Sequence, residues 1–352
     1  MPRPDPEAGR WPVLASDVGI DLGTATVIVF VRGRGIVLRE PSIVAIDQES
    51  RTFLAVGEAA REMVGRTPGH IVAVRPMRNG VVANYQVTEM MLRYFIRKAL
   101  GPRHWFRPRL VACVPAAVTD VEQRAVVEAC REAGAREVHL ISEPMAAAIG
   151  AGIPVEEPRG HMVVDVGGGT TDVAVISMGR EVVTDSVRVA GDHMDEAIAR
   201  YLRRSKGIVV GERTAEEAKL RVGTVDPQEE SKASTIEVRG RDAVSGLPRT
   251  VTFSASEAAE ALLEPAQAIL EAIQRVLERT PPELAADIFE QGMVLTGGGS
   301  LLRGLDRLIS RRTGLSVRVA DDPVTCVARG TGRVLESLNH RPIGSPVARR
   351  LV

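Results

Sequence analysis

One pattern occurs twice in this chain and constrains its fold more than any other feature. Residues 18–31 (VGIDLGTATVIVFV) and 162–176 (MVVDVGGGTTDVAVI) share an apolar run, Asp-x-Gly, a small-residue turn with threonine, and a second β-branched run. Two such runs around a glycine-containing turn predict a β-hairpin. The first strand of each hairpin ends at a carboxylate, Asp21 in the first copy and Asp165 in the second. A separation of 144 residues, from 21 to 165, is too long for a solenoid repeat and indicates a duplicated domain.

The segment between the two hairpins alternates between strand and helix patterns. Residues 110–114 form a buried-strand pattern that ends at Pro115. Thr119 and Glu122 then form a capping box, which predicts the start of a helix. Strands that alternate with helices indicate helices packed on mainly parallel or mixed sheets.

The second half repeats this alternation. Ser254 and Glu257 form another capping box, and Pro265 is expected to interrupt the helix that follows. Residues 292–296 are expected to form a strand that leads through three glycines into a helix. That helix is expected to carry three leucines on one face, Leu301, Leu305 and Leu308.

Composition indicates a folded protein without a strong net charge. The 352 residues are 44% hydrophobic and 26% charged, with 45 Lys+Arg and 45 Asp+Glu. At roughly 150 residues per domain, the length predicts about two domains. The balanced charge gives no global attraction to nucleic acid or to an anionic membrane, so any such attraction requires a local patch.

Three further observations favour a cytosolic protein. Apolar stretches are far shorter than the roughly 18 residues that a membrane-spanning helix requires. The start of the chain, MPRPDPEAGRWP, lacks the basic residues and apolar run of a signal peptide. Cys113, Cys130 and Cys326 are widely spaced with no CxxC pair, which disfavours a disulfide framework or a zinc site and favours reduced structural thiols.

Three glycine-rich turns follow strands, at the two hairpins and at residues 297–299. Glycine lets backbone N–H groups approach an anion closely, so such turns can bind phosphates. Asp21 and Asp165 would supply the oxygen ligands or water acceptors that Mg²⁺ needs beside a nucleotide. The alternative is that each turn is only a tight turn capped by its aspartate. No GxxxxGK[ST] sequence is present, which excludes a P-loop nucleotide site.

These motifs resemble those of a known superfamily. Residues 21–24, 165–171 and 296–300 resemble the phosphate-1, phosphate-2 and adenosine motifs of the actin, Hsp70 and sugar-kinase superfamily. A closer resemblance, to the MreB family of bacterial actin homologues (MreB or a close paralogue such as Mbl), runs from about residue 17 to residue 338. It is carried by GIVLREPSIVAI (35–46), VGRTPGHIVAVRPMRNGVV (64–82), EPMAAAIGAG (143–152), GERTAE (211–216), RTPPELAADI (279–288) and MVLTGGGSLLRGLDRL (293–308).

The resemblance implies an α/β protein with an actin-like fold. Two duplicated, ribonuclease-H-like lobes would enclose a nucleotide cleft, and each lobe would carry a smaller inserted subdomain. The predicted divisions are a flexible N-terminal segment (1–16), subdomain IA (17–35 and 76–150), subdomain IB (36–75), subdomain IIA (151–188 and 254–338), subdomain IIB (189–253) and a C-terminal tail (339–352).

The resemblance also implies a site for ATP or ADP with Mg²⁺. Asp21 and Asp165 would bind the metal, largely through waters. The nucleotide-binding residues would be Gly23, Thr24, Ala25 and Thr26 on one side of the phosphates, Gly167, Gly168, Gly169 and Thr170 on the other, and, near the ribose and adenine, Glu216, Glu217, Lys219, Gly297, Gly298, Gly299, Ser300 and Leu301.

Glu143 matches the family position that polarises the attacking water, with Thr171 as its helper and Asp165 as the third catalytic residue. One carboxylate suffices, because phosphoryl transfer needs mainly positioning and charge stabilisation. The residues alone also allow Glu143 to be a helix-start carboxylate stabilised by the helix dipole. Glu216 and Lys219, three residues apart on a helical face, could likewise form an ordinary surface ion pair.

Three positions depart from the common family pattern. Ser142 and Asp172 stand where a glutamate is common, and Thr26 stands where an asparagine is common. None of these departures removes a carboxylate that we assign to the metal or to the water.

The resemblance implies filaments on the inner face of the cytoplasmic membrane. Residues 101–109 (GPRHWFRPR) place Trp105 and Phe106 among three arginines and between prolines. Aromatic side chains suit the membrane interface and arginines suit anionic headgroups, so this loop is the predicted anchor. The alternatives are a small plug in the core and a nucleic-acid patch.

The predicted function is therefore a cytoskeletal ATPase that polymerises and organises cell-wall synthesis in rod-shaped cells. Its implied partners are further copies of itself in paired protofilaments, the membrane, and elongation proteins such as MreC, MreD and RodZ, but no nucleic acid. Two alternatives remain from the superfamily. An Hsp70-type chaperone would need a substrate-binding region after the third glycine motif, and a sugar or acetate kinase would need a catalytic aspartate and a small-molecule pocket.

Overall fold

Two large sheets, one built around each hairpin, form the frame of the protein. The computed structural model describes residues 17–50, 52–101, 107–226 and 234–338 and the backbone of residues 349–350. The first sheet contains, in spatial order, β19 (Arg349–Arg350), β10 (Glu137–Ser142), β9 (Arg109–Val114), β1 (Val18–Leu22), β2 (Thr26–Val31) and β3 (Gly35–Pro41). The second contains β13 (Arg180–Val187), β12 (Thr171–Ser177), β11 (His161–Val166), β17 (Met293–Thr296) and β18 (Val317–Val319).

The two sheets share one topology. Strand β1 pairs antiparallel with β2 and parallel with β9, and β2 pairs antiparallel with β3. Strand β11 pairs in the same way with β12 and β17, and β12 pairs antiparallel with β13. Both predicted hairpins are therefore confirmed, and the repeated sequence corresponds to a repeated arrangement of strands.

Smaller sheets lie in the two segments that the sequence marks as insertions. The first has β4 (Val44–Asp47), β5 (Thr52–Val56) and β6 (Ile71–Val74), with helix α1 (Glu58–Met63). The second has β14 (Ile208–Val209), β15 (Thr235–Asp242) and β16 (Pro248–Ser254), with α5 (Gly191–Lys206) and α6 (Glu212–Val222) before β15. A two-stranded hairpin, β7 (Met77–Arg78) and β8 (Val81–Val82), follows the first. Strand β3 falls within the predicted insertion 36–75 but pairs with β2 in the large sheet, so we propose that this insertion begins after Pro41.

The remaining helices cover the large sheets. They are α2 (Tyr85–Leu100), α3 (Asp120–Glu132), α4 (Glu143–Gly150), α7 (Ala255–Arg279), α8 (Pro282–Gln291), α9 (Leu305–Thr313) and α10 (Cys326–Ser337), with short 3₁₀ helices at Gly298–Leu301 and Pro323–Thr325. Both predicted capping boxes are present, with Thr119 and Ser254 as the N-caps of α3 and α7. Among the described residues, no helix has both the length and the apolar character needed to cross a membrane.

Two details of the second half differ from the sequence prediction. Pro265 does not interrupt its helix, because α7 runs unbroken for 25 residues with Pro265 buried inside it. A proline removes one backbone hydrogen bond, and here a long apolar face, which includes fully buried Ile269 and Ile273, packs into the core. Leu301 is not part of α9, since the 3₁₀ turn that contains it is separated from α9 by Gly304 in the left-handed region (φ 79°).

An apolar core joins the two halves. It combines side chains of the first sheet, such as Val111, with side chains of the second, such as Val163, and with α4 and α10. Helices α4 and α10 pack so closely that a Cβ atom on Gly330 would lie 1.9 Å from the carbonyl oxygen of Ala146. The frame of the cleft is therefore held by aliphatic packing rather than by aromatic residues, which make up 3% of the chain.

Candidate functional site

A cleft of about 530 Å³ lies where the three glycine-rich turns meet. It is lined by residues of both halves, and most of the residues predicted to bind a nucleotide are among them. These are Asp21, Gly23, Thr24, Ala25, Thr26, Glu143, Asp165, Gly167, Gly168, Thr170, Glu216, Lys219, Gly297, Gly298, Gly299 and Leu301.

The tips of the two hairpins face each other across this cleft at very short range. A Cβ atom on Gly168 would lie 2.6 Å from the Cβ of Ala25, so only glycine allows this approach. The Thr24 hydroxyl accepts a hydrogen bond from the Gly80 N–H (3.1 Å), which ties the first tip to the β7–β8 turn. Gly297 has a φ of 79°, and a Cβ there would lie 2.3 Å from the Val166 carbonyl oxygen, so the third turn packs against the end of β11.

Three carboxylates, those of Asp21, Asp165 and Glu143, lie at the base of the cleft, and that of Asp172 is buried beside them. Burial raises the pKa of Asp21 to about 6 and that of Asp165 to about 7. The Thr296 hydroxyl donates to Asp165 Oδ1 (2.8 Å), and the Cys113 thiol lies 3.4 Å from Asp21 Oδ1. These hydrogen bonds offset only part of the cost of burying the charges, so both aspartates keep their protons to a higher pH than an ordinary aspartate does.

Glu143 is the first residue of α4, and it is half-buried in the lining of the cleft. Burial raises its pKa well above the usual range, and the charges of Asp172, Asp165 and Asp21 raise it further, while a hydrogen bond from Thr170 opposes the rise. Glu143 is therefore more than a solvent-exposed carboxylate at a helix start. It is one of a group of half-buried and buried acids whose negative charges a cation would offset.

Asp172 is fully buried behind the cleft lining, and the sequence patterns did not identify it as part of this group of acids. Its Oδ1 accepts from the Ala116 N–H (2.9 Å), while Oδ2 is buried and has no hydrogen-bond partner among the described residues. Asp172 stands directly opposite Asp165 in the β11–β12 hairpin. That register is the signal that could have identified it, because directly opposed residues of a hairpin have neighbouring side chains.

Helix α6 supplies the other wall of the cleft. Lys219 Nζ donates to Asp195 Oδ2 (2.8 Å) and to the Gly191 carbonyl oxygen (2.9 Å), and Glu216 Oε2 accepts from Arg61 Nη2 (3.0 Å). Glu216 and Lys219 thus bind different partners and do not form the ion pair that their spacing allowed.

Several predicted site residues do not line the cleft. Glu217 is exposed and its carboxylate lies 3.6 Å from Arg221, while the Ser300 hydroxyl donates to the Gly297 carbonyl oxygen (2.6 Å). The Thr171 hydroxyl donates to the Val189 carbonyl oxygen (2.7 Å), and Gly169 packs against Thr24. Ser300 and Thr171 are placed to support the turns. Trp105 and Phe106 lie outside the described residues.

The raised pKa values of Asp21 and Asp165 predict how stability depends on pH. Because burial raises both values above that of an ordinary aspartate, the folded protein binds more protons than the unfolded chain between about pH 4 and pH 7. Stability is therefore lost as the pH rises through this window. We expect the melting temperature of the nucleotide-free protein to rise when the pH is lowered from about 8 to about 5.5, and Asp165→Asn to weaken this dependence. If calorimetry showed a melting temperature that did not change or that fell as the pH was lowered, the raised pKa values of Asp21 and Asp165 would be contradicted.

The fold and the cleft are those of an actin-like protein. The structure superimposes on MreB 5 of Spiroplasma citri bound to AMPPNP with a TM-score of 0.89 and 36% sequence identity, covering 94% of this chain and 98% of that one. It also superimposes on the MamK double helical filament with a TM-score of 0.77 at 22% identity, covering 92% and 99% of the two chains. The second likeness supports the fold alone. The predicted actin-like fold is confirmed.

The chain belongs to the MreB/Mbl family. The model of the MreB/Mbl protein family matches residues 15–342. The chain is 51% identical over 330 residues to the cell shape-determining protein Mbl of Bacillus subtilis, covering 94% of this chain and 98% of that protein. It is 53% identical over 333 residues to the cell shape-determining protein MreB of Escherichia coli K12, covering 93% and 95%. The chain is therefore an actin-like cytoskeletal protein of the cell-shape system, and the chaperone and sugar-kinase alternatives are not favoured.

Proposed function

We propose that this protein binds and hydrolyses ATP with Mg²⁺ in the cleft, and that it polymerises on the inner face of the cytoplasmic membrane. One observation carries the nucleotide site: two duplicated Asp-x-Gly hairpins, a third glycine turn and Glu143 line a single cleft. Nucleotide binding is further supported by two structural neighbours, MreB 5 of Spiroplasma citri bound to AMPPNP and the same protein bound to ADP.

The hairpin tips are suited to bind the phosphates. Glycine turns allow backbone N–H groups to approach an anion closely, and both tips line the cleft, at Gly23 to Thr26 and at Gly167 and Gly168. The ribose and adenine would lie towards α6 and the third turn, near Glu216, Lys219 and Gly298.

Asp21 and Asp165 are suited to Mg²⁺. Within the described residues, no three His, Cys, Asp or Glu side chains are grouped to hold a metal by themselves. Mg²⁺ usually takes one or two carboxylates and completes its shell with waters and phosphate oxygens, so Asp21 and Asp165 would suffice beside a nucleotide. Bound Mg²⁺ would neutralise phosphate charge, and it would also relieve the repulsion among the carboxylates of Asp21, Glu143, Asp165 and Asp172.

Glu143 is suited to position the attacking water. Its carboxylate is held at the base of the cleft at the start of α4, beside the Thr170 side chain. A carboxylate accepts a proton from water only in its ionised form, so hydrolysis should increase with pH through the raised pKa of Glu143. Asp165 would assist hydrolysis by holding the metal, and Thr171 would assist it by stabilising the second hairpin.

Filament formation and the cellular partners belong to the same proposal. Self-association is supported by membership of the MreB/Mbl family. A subunit of this kind makes head-to-tail contacts that do not close, which produces a filament. Paired protofilaments, the membrane and elongation proteins such as MreC, MreD and RodZ are the partners that we propose, with a cytoplasmic location at the inner face of the membrane.

The direct test uses the purified full-length protein with Mg²⁺-ATP. We expect light scattering to grow with ATP and phosphate to be released as the filaments form. Phosphate transfer to a sugar or to acetate, without growth of light scattering, would instead identify a phosphotransferase and contradict the proposal.

The anchor prediction concerns Trp105 and Phe106. Changing both to alanine is expected to release the protein from anionic liposomes without impairing ATP hydrolysis in solution. Burial of two aromatic side chains in the membrane contributes on the order of a few kcal/mol to the free energy of binding. One subunit alone therefore binds the membrane weakly. Stable attachment then requires many loops on one filament acting through effective concentration.

Co-sedimentation with liposomes is the measurement, with a non-polymerising variant as the comparison. That variant should lose most of its membrane binding although its loop is intact. Full binding by the double alanine variant would show that these aromatics contact the core or a partner instead.

A further inference from the structure

Two ion pairs connect the inserted parts of the two halves across the cleft. Arg61, on α1, donates from Nη2 to Glu216 Oε2 at 3.0 Å, and Arg75, just after β6, donates to Glu212. Both acceptors lie on α6, one turn apart, whereas both arginines belong to the first half of the chain. Helix α6 is thus attached to the opposite half at two points.

Arg75 is surrounded by more negative charge than it can neutralise. Its side chain is 24% exposed, and the charges of Asp192, Glu212 and Glu216 raise its pKa against the effect of burial. Asp192 is in turn affected by Arg75, whose charge lowers its pKa while burial raises it. Without Arg75, Glu212 would lose its ion-pair partner in the first half, Asp192 would lose the nearby charge of Arg75, and Glu216 would keep only Arg61.

Helix α6 is also fixed within its own half. Lys219 binds Asp195 and the Gly191 carbonyl oxygen, both on α5, so α6 and α5 are linked by a half-buried ion pair. The ion pairs of Glu212 and Glu216 therefore restrain α5 and α6 together, because these two helices are linked through Lys219. Arg61, Glu216 and Lys219 line the cleft, so a movement of α6 changes the wall against which a nucleotide would lie.

We infer that Arg61 and Arg75 are positioning residues that hold α6 over the cleft and so set how long a nucleotide stays bound. The inference rests on the proposed nucleotide site, and it adds that these two ion pairs control how fast the bound nucleotide is exchanged. When both pairs are made, α6 closes the cleft, and when they break, α6 can move away and the nucleotide can leave. Arg75 and Glu212 act at a distance from the nucleotide, because neither lines the 530 Å³ cleft.

The test compares dissociation rates of a fluorescent ATP analogue, measured by stopped flow with Mg²⁺ and excess unlabelled ATP. For Arg75→Gln and for Arg61→Gln we expect dissociation to be about two- to fivefold faster, the range that corresponds to one partly exposed ion pair. The difference from the wild type should shrink in about 1 M salt, because ions screen exposed charges. Arg200→Gln is the matched control, since it breaks an Arg–Glu pair (3.3 Å to Glu264) that lies entirely within the second half.

A charge exchange separates positioning from direct contact with the nucleotide. The double variant Arg75→Glu, Glu212→Arg should restore slow dissociation, whereas each single change should accelerate it. If the exchange fails to restore it, or if Arg75→Gln dissociates like the wild type, the inference is wrong. Wild-type protein that binds no nucleotide would overturn the proposed function itself, which is a different result from bound nucleotide with unchanged dissociation.

Discussion

Replacing Glu143 by alanine is expected to reduce ATP hydrolysis by a factor of about 10² to 10⁴, the usual contribution of a positioned acid or base. Nucleotide affinity should change little, because the phosphates would be bound by the hairpin tips and not by Glu143. Removing one carboxyl from this group of acids should not weaken the binding of a polyphosphate. Filaments should then form with ATP and persist, since the bound nucleotide is no longer cleaved.

Single-turnover phosphate release and titration with a fluorescent nucleotide would measure the two effects separately. Glu143→Gln keeps the shape of the side chain and should behave like the alanine variant if charge is what matters. Glu137→Gln, on the strand that precedes α4, is a control outside the cleft. If affinity collapsed together with turnover, Glu143 would be a structural residue of the cleft and not the residue that positions water.

Replacing Asp165 by asparagine is expected to raise the Mg²⁺ concentration needed for half-maximal hydrolysis by about ten- to hundredfold, as for other groups that act on a metal through its waters. The change removes a charge with almost no change in volume. The Thr296 hydroxyl can still donate to the amide oxygen at this position. The fold should therefore persist, and the nucleotide-free variant should be more stable than the wild type at neutral pH, since a buried charge has been removed.

Magnesium titrations of the hydrolysis rate, together with thermal melting, check this prediction. Asp306→Asn, on α9 away from the cleft lining, is the matched control. Hydrolysis by Asp165→Asn with normal magnesium dependence would remove Asp165 from the metal site. A large loss of melting temperature would mean that the carboxylate is needed for the structure of the hairpin.

Local patterns were sufficient for much of this fold. The two hairpins, the capping boxes at Thr119 and Ser254, and the glycine turns depend on residues within a few positions of each other. Their hydrogen bonds are closed inside one segment, so the residue types of that segment predict them. The resemblance of the longer motifs then predicted the actin-like fold and the family.

Predictions were less accurate where packing competes with local preference. Pro265 should break a helix by its own chemistry, yet α7 continues through it because the surrounding apolar face is buried. Leu301 has the spacing of the leucines on α9, yet the left-handed Gly304 separates it from that helix. At Pro265 the loss of one backbone hydrogen bond is outweighed by packing against residues that are distant in the sequence, whereas Leu301 is separated from α9 by a glycine only three residues away.

The sequence by itself determined the elements that approach the cleft and the residue types at their ends, including Asp21, Asp165 and Glu143. The tertiary structure alone decided which charges meet there. The unpartnered oxygen of Asp172 depends on how the two halves pack, and so do the pairs of Arg61 with Glu216 and Arg75 with Glu212. These pairs join residues 155 and 137 positions apart. The physical reason is that pKa values and ion pairs depend on distance and burial in space, which a local sequence pattern does not contain.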